Sequence, residues 1–319
     1  MTNPTTLPPL VAIVGPTASG KSTLGIFLAK EFAGEVVACD STQLYRGFDI
    51  GTAKPTLEER AIVSHHLLDV LDPTEEATAG GYRERATAVL DDLKARSRLP
   101  IFTVGTGLYL RALLEGLADL PLRSEELRER LRASAAEHGP GHLHDMLTRL
   151  DEEAAKQIAP ADEQKLIRAI EICLLASKPL SEIRRTGRTP LTGWRVLKIG
   201  LQPEREGLYE RIRTRTKAML DAGWLDEVRQ LVSSGLPENA KPFQFIGYRE
   251  LRAHLHGELT LDQARSAIQQ STRQYAKRQL TWFRREVNVR WLTGFGDDPE
   301  IQTAARGWLN EQISANLKG

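Results

Sequence analysis

Two glycines, a lysine and a serine near the N-terminus have the spacing of a phosphate-binding loop. The stretch 15–22 reads Gly-Pro-Thr-Ala-Ser-Gly-Lys-Ser, follows the apolar residues 10–14 and precedes a segment of helical character. Glycines allow such a loop to turn its N–H groups around an anion, and the next helix N-terminus adds positive potential. Lys21 supplies a charge for the outer phosphates, and the Ser22 hydroxyl is a ligand for Mg²⁺. The residues predicted to bind phosphate are Gly15, Pro16, Thr17, Ala18, Ser19, Gly20, Lys21 and Ser22.

Asp40 follows the β-rich run 35–39, one βα unit after this loop. A carboxylate there can order the water around Mg²⁺ or take a proton from a nucleophile that lies against a phosphate donor. It can also cap a turn, for which aspartate is well suited. The phosphate loop upstream favours the chemical role. Thr106 follows another strand end, and its hydroxyl suits either a ligand contact or a helix cap.

Strand-like runs alternate with helical segments at 10–14, 35–39, 99–104 and 195–201. This order predicts an α/β fold with a parallel sheet, a P-loop NTPase-like core whose ligands bind at the carboxyl ends of the strands. We therefore expect Gly15–Ser22, Asp40–Gln43 and Gly105–Tyr109 to converge. Residues 120–192 are more charged and helical, so we predict a helical insertion there, with the core formed by 1–119 and 193–319. Residues after 203 are predicted to be mainly helical.

Composition restricts the partners and the compartment. The 319 residues carry a formal net charge of +1, so a nucleic-acid surface has to be local. Cys39 and Cys173 do not suggest a disulfide framework, which favours a reducing cytoplasm. We expect no signal peptide and no membrane helix, because no apolar run approaches the roughly 20 residues that a bilayer requires. No apolar stripe argues for an oligomer, so a monomer is the default expectation.

Residues 273–290 form the strongest basic cluster, with six Arg or Lys residues against Glu286 and with interleaved aromatic side chains. Such a segment fits RNA, but on charge alone a solvated basic helix with a core-facing aromatic side chain is the favoured interpretation. Arg211 and Arg215 lie one helical turn apart, where an arginine suits either a diphosphate or surface ion pairs. The adjacent His65 and His66 favour a structural role, because neighbours on a strand face opposite sides.

Eight stretches spread over residues 15–284 resemble the bacterial tRNA dimethylallyltransferase family. They are Gly15–Ser22, Asp40–Gln43, Asp49–Pro55, His65–His66, Gly105–Tyr109, Gln164–Arg168, Ile246–Tyr248 and Tyr275–Arg284. The resemblance implies prenyl transfer from dimethylallyl diphosphate to N6 of the adenosine 3′ of the anticodon in tRNA. It also implies that the loop holds the diphosphate with Mg²⁺ as cofactor near Ser22, and that the helical insertion grips the anticodon stem-loop.

The resemblance further assigns roles to individual residues. Asp40 would be the general base, with Lys21 and Arg215 as the other catalytic groups. The implied tRNA contacts are Asp40, Ser41, Thr42, Gln43, Thr106, Arg128, Gln164, Lys165, Leu166, Ile167, Arg168, Gln244, Gly247, Tyr248, Arg249, Lys277, Arg278 and Gln279.

Three other functions remain open at this point. An adenylate isopentenyltransferase would use the same donor on free AMP or ATP. A P-loop kinase would bind ATP in the loop, and the sequence does not settle whether ATP can also bind there. A non-catalytic RNA-binding protein would not need Lys21, Ser22 and Asp40.

Overall fold

The computed structural model describes residues 7–118, 120–186 and 188–314. The strands are β1 Pro9–Val14, β2 Gly34–Cys39, β3 His65–His66, β4 Leu99–Val104, β5 Arg195–Leu201 and β6 Val289–Leu292. The helices are α1 Lys21–Glu31, α2 Leu57–Ile62, α3 Ala79–Ala95, α4 Gly107–Glu115, α5 Glu125–His138, α6 His142–Leu150, α7 Glu152–Gln157, α8 Glu163–Ala176, α9 Leu180–Thr186, α10 Arg205–Asp221, α11 Trp224–Ser233, α12 Tyr248–Leu255, α13 Leu261–Phe283 and α14 Pro299–Ser314. A 3₁₀ helix spans Lys241–Gln244.

The strands form one parallel sheet in the order β3-β2-β4-β1-β5-β6. The inner strands β2 and β4 are buried along their whole length, which explains why their sequences are mostly apolar rather than alternating, with Glu35 and Thr103 as the exceptions. Strands β1, β2 and β4 are adjacent, so the loops that follow them leave the same edge of the sheet. The predicted α/β core with a parallel sheet is confirmed.

The described residues up to Arg111 and from Thr192 form one compact unit, and Ala112–Leu191 forms a second. The sequence placed this change of character at 120 and 192. The second unit contains α5 to α9 around its own apolar core, which includes Leu131, Leu147 and Ile170. Gly139 and Gly141, both at positive φ, separate α5 from α6.

One element of the C-terminal part was missed. The basic segment 273–290 is not a single helix, because α13 ends at Phe283 and β6 begins at Val289. β6 has only four residues and lies at the edge of the sheet, where an exposed Arg290 is tolerated and masks the strand pattern. None of the helices in the described ranges combines the length and the hydropathy needed to cross a bilayer.

Candidate active site

The phosphate loop leaves β1 and enters α1 at Lys21. Gly15 and Gly20 have φ of 150° and 85°, backbone angles that residues with a side chain rarely adopt. Space is also restricted at both positions. A Cβ on Gly15 would lie 2.8 Å from the Leu201 carbonyl oxygen, and one on Gly20 would lie 2.7 Å from the Gly296 nitrogen. The two glycines of the motif are therefore required by the loop's own packing as well as by its curvature.

Lys21 folds back over the loop. Its ammonium donates hydrogen bonds to the carbonyl oxygens of Gly15, at 2.9 Å, and Pro16, at 2.7 Å. Burial lowers the pKa of this ammonium to about 7, an effect that the Asp40 charge opposes and the Arg215 charge reinforces. A diphosphate in the loop would favour the charged form of Lys21.

Asp40 lies directly after β2 and is oriented by its own loop. Its Oδ1 accepts hydrogen bonds from the Thr42 N–H, at 2.9 Å, and from the Thr42 hydroxyl, at 2.8 Å. Its Oδ2 packs against Gly105, where a Cβ would lie only 1.9 Å from that oxygen. The structure therefore supports both interpretations of Asp40, as a turn cap and as a group in the site. One oxygen stabilises a turn, and the carboxylate also lines the cavities described below.

The Thr106 hydroxyl joins the loops after β2 and β4. It accepts from the Ser41 N–H at 3.0 Å and donates to the Ser41 hydroxyl at 3.2 Å. These bonds fix Asp40–Gln43 beside Gly105–Tyr109. The expected convergence of the three strand ends is confirmed, because the phosphate loop, Asp40 and Gly105 also line one cavity.

The first cavity has a volume of about 550 Å³ and is lined by the phosphate loop, Asp40 and Arg215 among other residues. A second cavity, of about 340 Å³, has a mixed lining. Its apolar side chains include Ile212, Met219, Trp224, Phe245, Ile246 and Ile268. Thr17, Ala18, Asp40, Thr52 and Arg215 line both cavities. The cavity around the phosphate loop thus adjoins one with a group of apolar side chains, and Asp40 and Arg215 are shared by the two.

The two arginines of α10 differ in their partners. Arg215 is half-buried, and burial lowers the pKa of its guanidinium while the Asp40 charge raises it. Arg211 instead forms a bidentate ion pair with Asp297, at 2.5 and 2.9 Å, and lies 3.7 Å from the centre of the Phe295 ring. Both arginines line the first cavity, but Arg211 is ion-paired there, whereas Arg215 also lines the second cavity.

Ser22 is the residue predicted to bind Mg²⁺, and its exposed side chain lines the first cavity. Among the described residues, no cluster of three His, Cys, Asp or Glu side chains is arranged to hold a metal ion. Mg²⁺ suits this environment because it commonly keeps several waters and takes phosphate oxygens together with one or two protein ligands.

The predicted tRNA contacts in the first unit fall into exposed and buried groups. Gln244, Arg249, Lys277 and Arg278 are exposed. Gly247, Tyr248 and Gln279 are buried and make internal contacts. Tyr248 donates to Glu227 at 2.6 Å, and a Cβ on Gly247 would lie 1.9 Å from the Trp224 ring. The side chains of this buried group build the site rather than face a solvent-exposed partner.

In the second unit, Gln164 and Lys165 are exposed at the start of α8, whereas Leu166 and Ile167 are buried in its core. Arg168 donates to Glu171, at 2.7 Å, and to the Pro121 carbonyl oxygen, at 3.0 Å.

Arg128, on α5 of the same unit, pairs with Glu125 at 3.3 Å. Of the contacts predicted in this unit, Gln164 and Lys165 are exposed, whereas Arg128 and Arg168 are partly buried and paired with acidic side chains.

Two positioning groups were missed from the sequence. The Glu227 carboxylate accepts from the N–H groups of Asp49 and Ile50, at 3.0 and 2.8 Å, and so holds the loop after β2. Lys54 is buried and bonds to Asp49 and Asp69 at 2.7 and 2.5 Å. Lys54 lies in the stretch Asp49–Pro55, for which the resemblance gave no individual roles. No pattern in the sequence indicated a role for Glu227.

The chain matches two family models. One, IPP transferase, covers residues 43–286, and the other, isopentenyl transferase, covers residues 8–69. A tRNA dimethylallyltransferase of Koribacter versatilis is 54% identical over 294 residues, which are 92% of this chain and 95% of the relative. The enzyme of the same name from Solibacter usitatus is 50% identical, with 93% and 96% of the two chains covered.

Solved structures give the same result. The tRNA isopentenylpyrophosphate transferase of Bacillus halodurans is 37% identical, with a TM-score of 0.72 and 97% and 98% of the two chains covered. A eukaryotic dimethylallyltransferase acting on tRNA is 27% identical, with a TM-score of 0.83 and 97% and 80% covered.

Proposed function

This chain belongs to the IPP transferase family, and from that membership we infer that it is a tRNA dimethylallyltransferase. It transfers a dimethylallyl group from dimethylallyl diphosphate to N6 of the adenosine 3′ of the anticodon in tRNA and releases diphosphate. The observation in this chain that carries the inference is the pair of adjoining cavities. A phosphate loop in one cavity and a group of apolar side chains in the adjoining one suit a donor with a diphosphate at one end and a short hydrocarbon at the other.

We propose that the phosphate loop binds the leaving group of the reaction. A new bond forms between N6 and the allylic C1, while the bond between C1 and the diphosphate oxygen breaks. Negative charge then increases on the diphosphate, so the loop N–H groups, Lys21 and Arg215 stabilise the transition state electrostatically. The proton lost from N6 goes to Asp40, which lines both cavities.

The Ser22 hydroxyl would hold Mg²⁺ together with diphosphate oxygens and water, and the ion would supply additional positive charge to the leaving group. The apolar side chains of the second cavity are proposed to shield the allylic carbon from water, which would otherwise hydrolyse the donor. Because an adenine stacked in an RNA loop cannot enter such a chamber, we propose that the target base is flipped out of the stack.

The exposed polar side chains of the predicted contact stretches are the proposed tRNA-binding groups. They are Gln244, Arg249, Lys277 and Arg278 in the first unit and Gln164 and Lys165 in the second. Arg128 and Arg168, which are partly buried and pair with Glu125 and Glu171, are proposed to contact tRNA as well. The helical second unit is proposed to hold the anticodon stem-loop.

We also propose a cytoplasmic monomer. Cys39 and Cys173 are both free and buried, as expected for a reducing compartment. Size-exclusion chromatography with light scattering tests the oligomeric state, for which a mass near 35.5 kDa is expected.

Labelled dimethylallyl diphosphate distinguishes this function from the alternatives. The protein is incubated with the labelled donor and Mg²⁺, with either tRNA or AMP, and without ATP. Label in tRNA is the expected result. Label in AMP would instead indicate an adenylate isopentenyltransferase. An absence of label in both, together with phosphate transfer from ATP, would identify a kinase.

A further inference from the structure

Gln279, on α13, uses both ends of its side-chain amide inside the active site. Its Oε1 accepts from the Thr17 N–H of the phosphate loop at 2.7 Å. Its Nε2 donates to the carbonyl oxygen of Gly105 at 2.7 Å. The residue is only 6% exposed, and it is 262 positions from Thr17 in the sequence. A buried amide with both polar ends bonded to distant backbone groups has little freedom to rotate.

The two backbone groups belong to loops that follow neighbouring strands. Thr17 lies in the loop after β1, Gly105 lies in the loop after β4, and these strands are paired in the sheet. Gly105 in turn packs against the Asp40 carboxylate, which follows β2 on the other side of β4. The Gln279 amide therefore fixes the spacing between the phosphate loop and the wall that holds Asp40.

Tyr275 shares one of the two bonding partners of Gln279. It lies one helical turn before Gln279, and its hydroxyl donates to the Gly105 carbonyl oxygen at 3.2 Å. Burial raises the pKa of this hydroxyl, which therefore stays protonated and able to donate. The exposed Lys277 and Arg278 lie between these two residues in the sequence. The buried side chains of α13 thus form hydrogen bonds to the catalytic loops. The same helix also carries exposed cations that are proposed to contact RNA.

We propose that Gln279 is a positioning residue, which holds the phosphate loop at the correct distance from Asp40 and does not contact tRNA. The proposal rests on the function proposed above, because it concerns the donor site of that reaction. It replaces the tRNA-contact role that the sequence resemblance implied for Gln279. It also means that the Thr17 N–H is already occupied, so the diphosphate is held by other groups of the loop.

Two variants separate the contributions of the amide. Gln279→Met keeps the approximate length of the side chain and removes both hydrogen bonds. Gln279→Glu keeps an acceptor for Thr17, but it places an oxygen against the Gly105 carbonyl oxygen and a charge beside the bound diphosphate. Gln274→Met, at an exposed position of the same helix, is the matched control.

The first measurement is calorimetric titration of each variant with inorganic diphosphate and Mg²⁺, which requires no prenyl transfer. We expect Gln279→Met to weaken diphosphate binding by about tenfold to a hundredfold, the effect of leaving buried polar groups unpaired. Gln279→Glu should weaken it further, and Gln274→Met should leave it unchanged. Because this titration does not depend on prenyl transfer, its result would stand even if the proposed enzymatic function were wrong. The positioning role and the enzymatic function are therefore tested separately.

The second measurement is the affinity for tRNA without donor, together with the KM of each substrate. A positioning role predicts a higher KM for dimethylallyl diphosphate with the tRNA affinity unchanged within about twofold. Weaker tRNA binding with unchanged diphosphate binding would overturn the proposal and restore a tRNA contact. A lower thermal midpoint with both affinities unchanged would overturn it in favour of a purely structural role.

Discussion

The two oxygens of the Asp40 carboxylate have different surroundings. Oδ1 is held by the backbone and hydroxyl of Thr42, whereas Oδ2 faces the tightly packed Gly105. These contacts hold the carboxylate in one orientation, so its geometry is set by groups that take no part in the proposed proton transfer.

Replacing the carboxylate of Asp40 tests its proposed role as the base. Asp40→Asn keeps the shape and an acceptor for Thr42, and we expect kcat to fall by roughly two to four powers of ten. Diphosphate and tRNA affinities should change by less than about threefold. The control is Asp226→Asn, at an exposed position of α11. Full turnover of Asp40→Asn in the labelled-donor assay would eliminate the role.

Gly105→Ala tests how closely the wall of the site fits Asp40. The added methyl would meet Asp40 Oδ2 at 1.9 Å and Cγ at 2.7 Å, so the carboxylate has to move. We expect kcat to fall by about a hundredfold, as for a reacting group displaced by about 1 Å. Gly80→Ala is the control, because nothing lies within 4 Å of a Cβ there. Equal kcat for the two variants would show that the contact is unimportant.

For the loops that follow the strands, the sequence predicted some contacts correctly and missed others. Residues 15–22 and Asp40 were correctly expected to converge, because parallel strands with short connections place their carboxyl ends at one edge. The Glu227 bonds to the loop at Asp49 and Ile50 could not be predicted, since they join segments 178 and 177 positions apart. Gln279 was recognised from its motif, but its burial depends on how α13 packs.

Short strands at the edge of the sheet were also difficult to predict from the sequence. β6 was missed because four residues at the end of a basic segment give little periodicity. By contrast, the predicted structural role of the histidines is confirmed by the contact between His66 and Glu35 at 2.7 Å. This contact lies where β2 pairs with β3. Sequence patterns could not predict that Glu35 would be the partner of His66.

Glu35 anchors the start of β2 and provides a test by pH. Its carboxylate bonds to Arg96, at 2.5 and 3.0 Å, and to His66, and the Arg96 hydrogen bonds chiefly lower its pKa to about 2 from an ordinary 4.5. A depressed pKa stabilises the fold above about pH 4.5, and this contribution is lost as the pH falls towards 2. Glu35→Gln should therefore reduce the free energy of unfolding by about 1–3 kcal/mol at pH 7.

The difference between Glu35→Gln and the unsubstituted chain should shrink as urea unfolding is repeated from pH 5 to pH 3. Glu84→Gln, on exposed α3 surface, is the control and should show no such trend. A difference that stays constant with pH would contradict the ion-pair explanation.

The chain as a whole is almost neutral, with a formal net charge of +1, although its proposed substrate is a polyanion. Affinity for tRNA must then come from a few local cations rather than from a positive electrostatic potential over the whole surface. Lys277 and Arg278 are exposed and precede the buried Gln279 in α13, and Arg278 also lines the second cavity together with Asp40. Local contacts of this kind should give a modest dependence on salt.

Salt titration of tRNA binding measures those contacts. Each phosphate contact contributes about 0.7–0.9 to the slope of log K against log salt concentration. Lys277→Ala with Arg278→Ala should therefore lower the slope by about 1.4–1.8 and weaken binding at low salt. Lys217→Ala, an exposed cation of α10 that pairs with Asp221, should leave the slope unchanged. An unchanged slope in the double variant would exclude these residues from the RNA surface.

The packing around the phosphate loop has a consequence for synthesis on the ribosome. The loop is made long before two of its partners, because Thr17 is held by Gln279, and the Ser19 carbonyl oxygen accepts from Gly296 at 2.9 Å. A nascent chain that has formed β1 and α1 therefore lacks these two contacts until the segment up to Gly296 has emerged. A product that stalls or terminates before α13 would carry the motif without the two contacts that fix it.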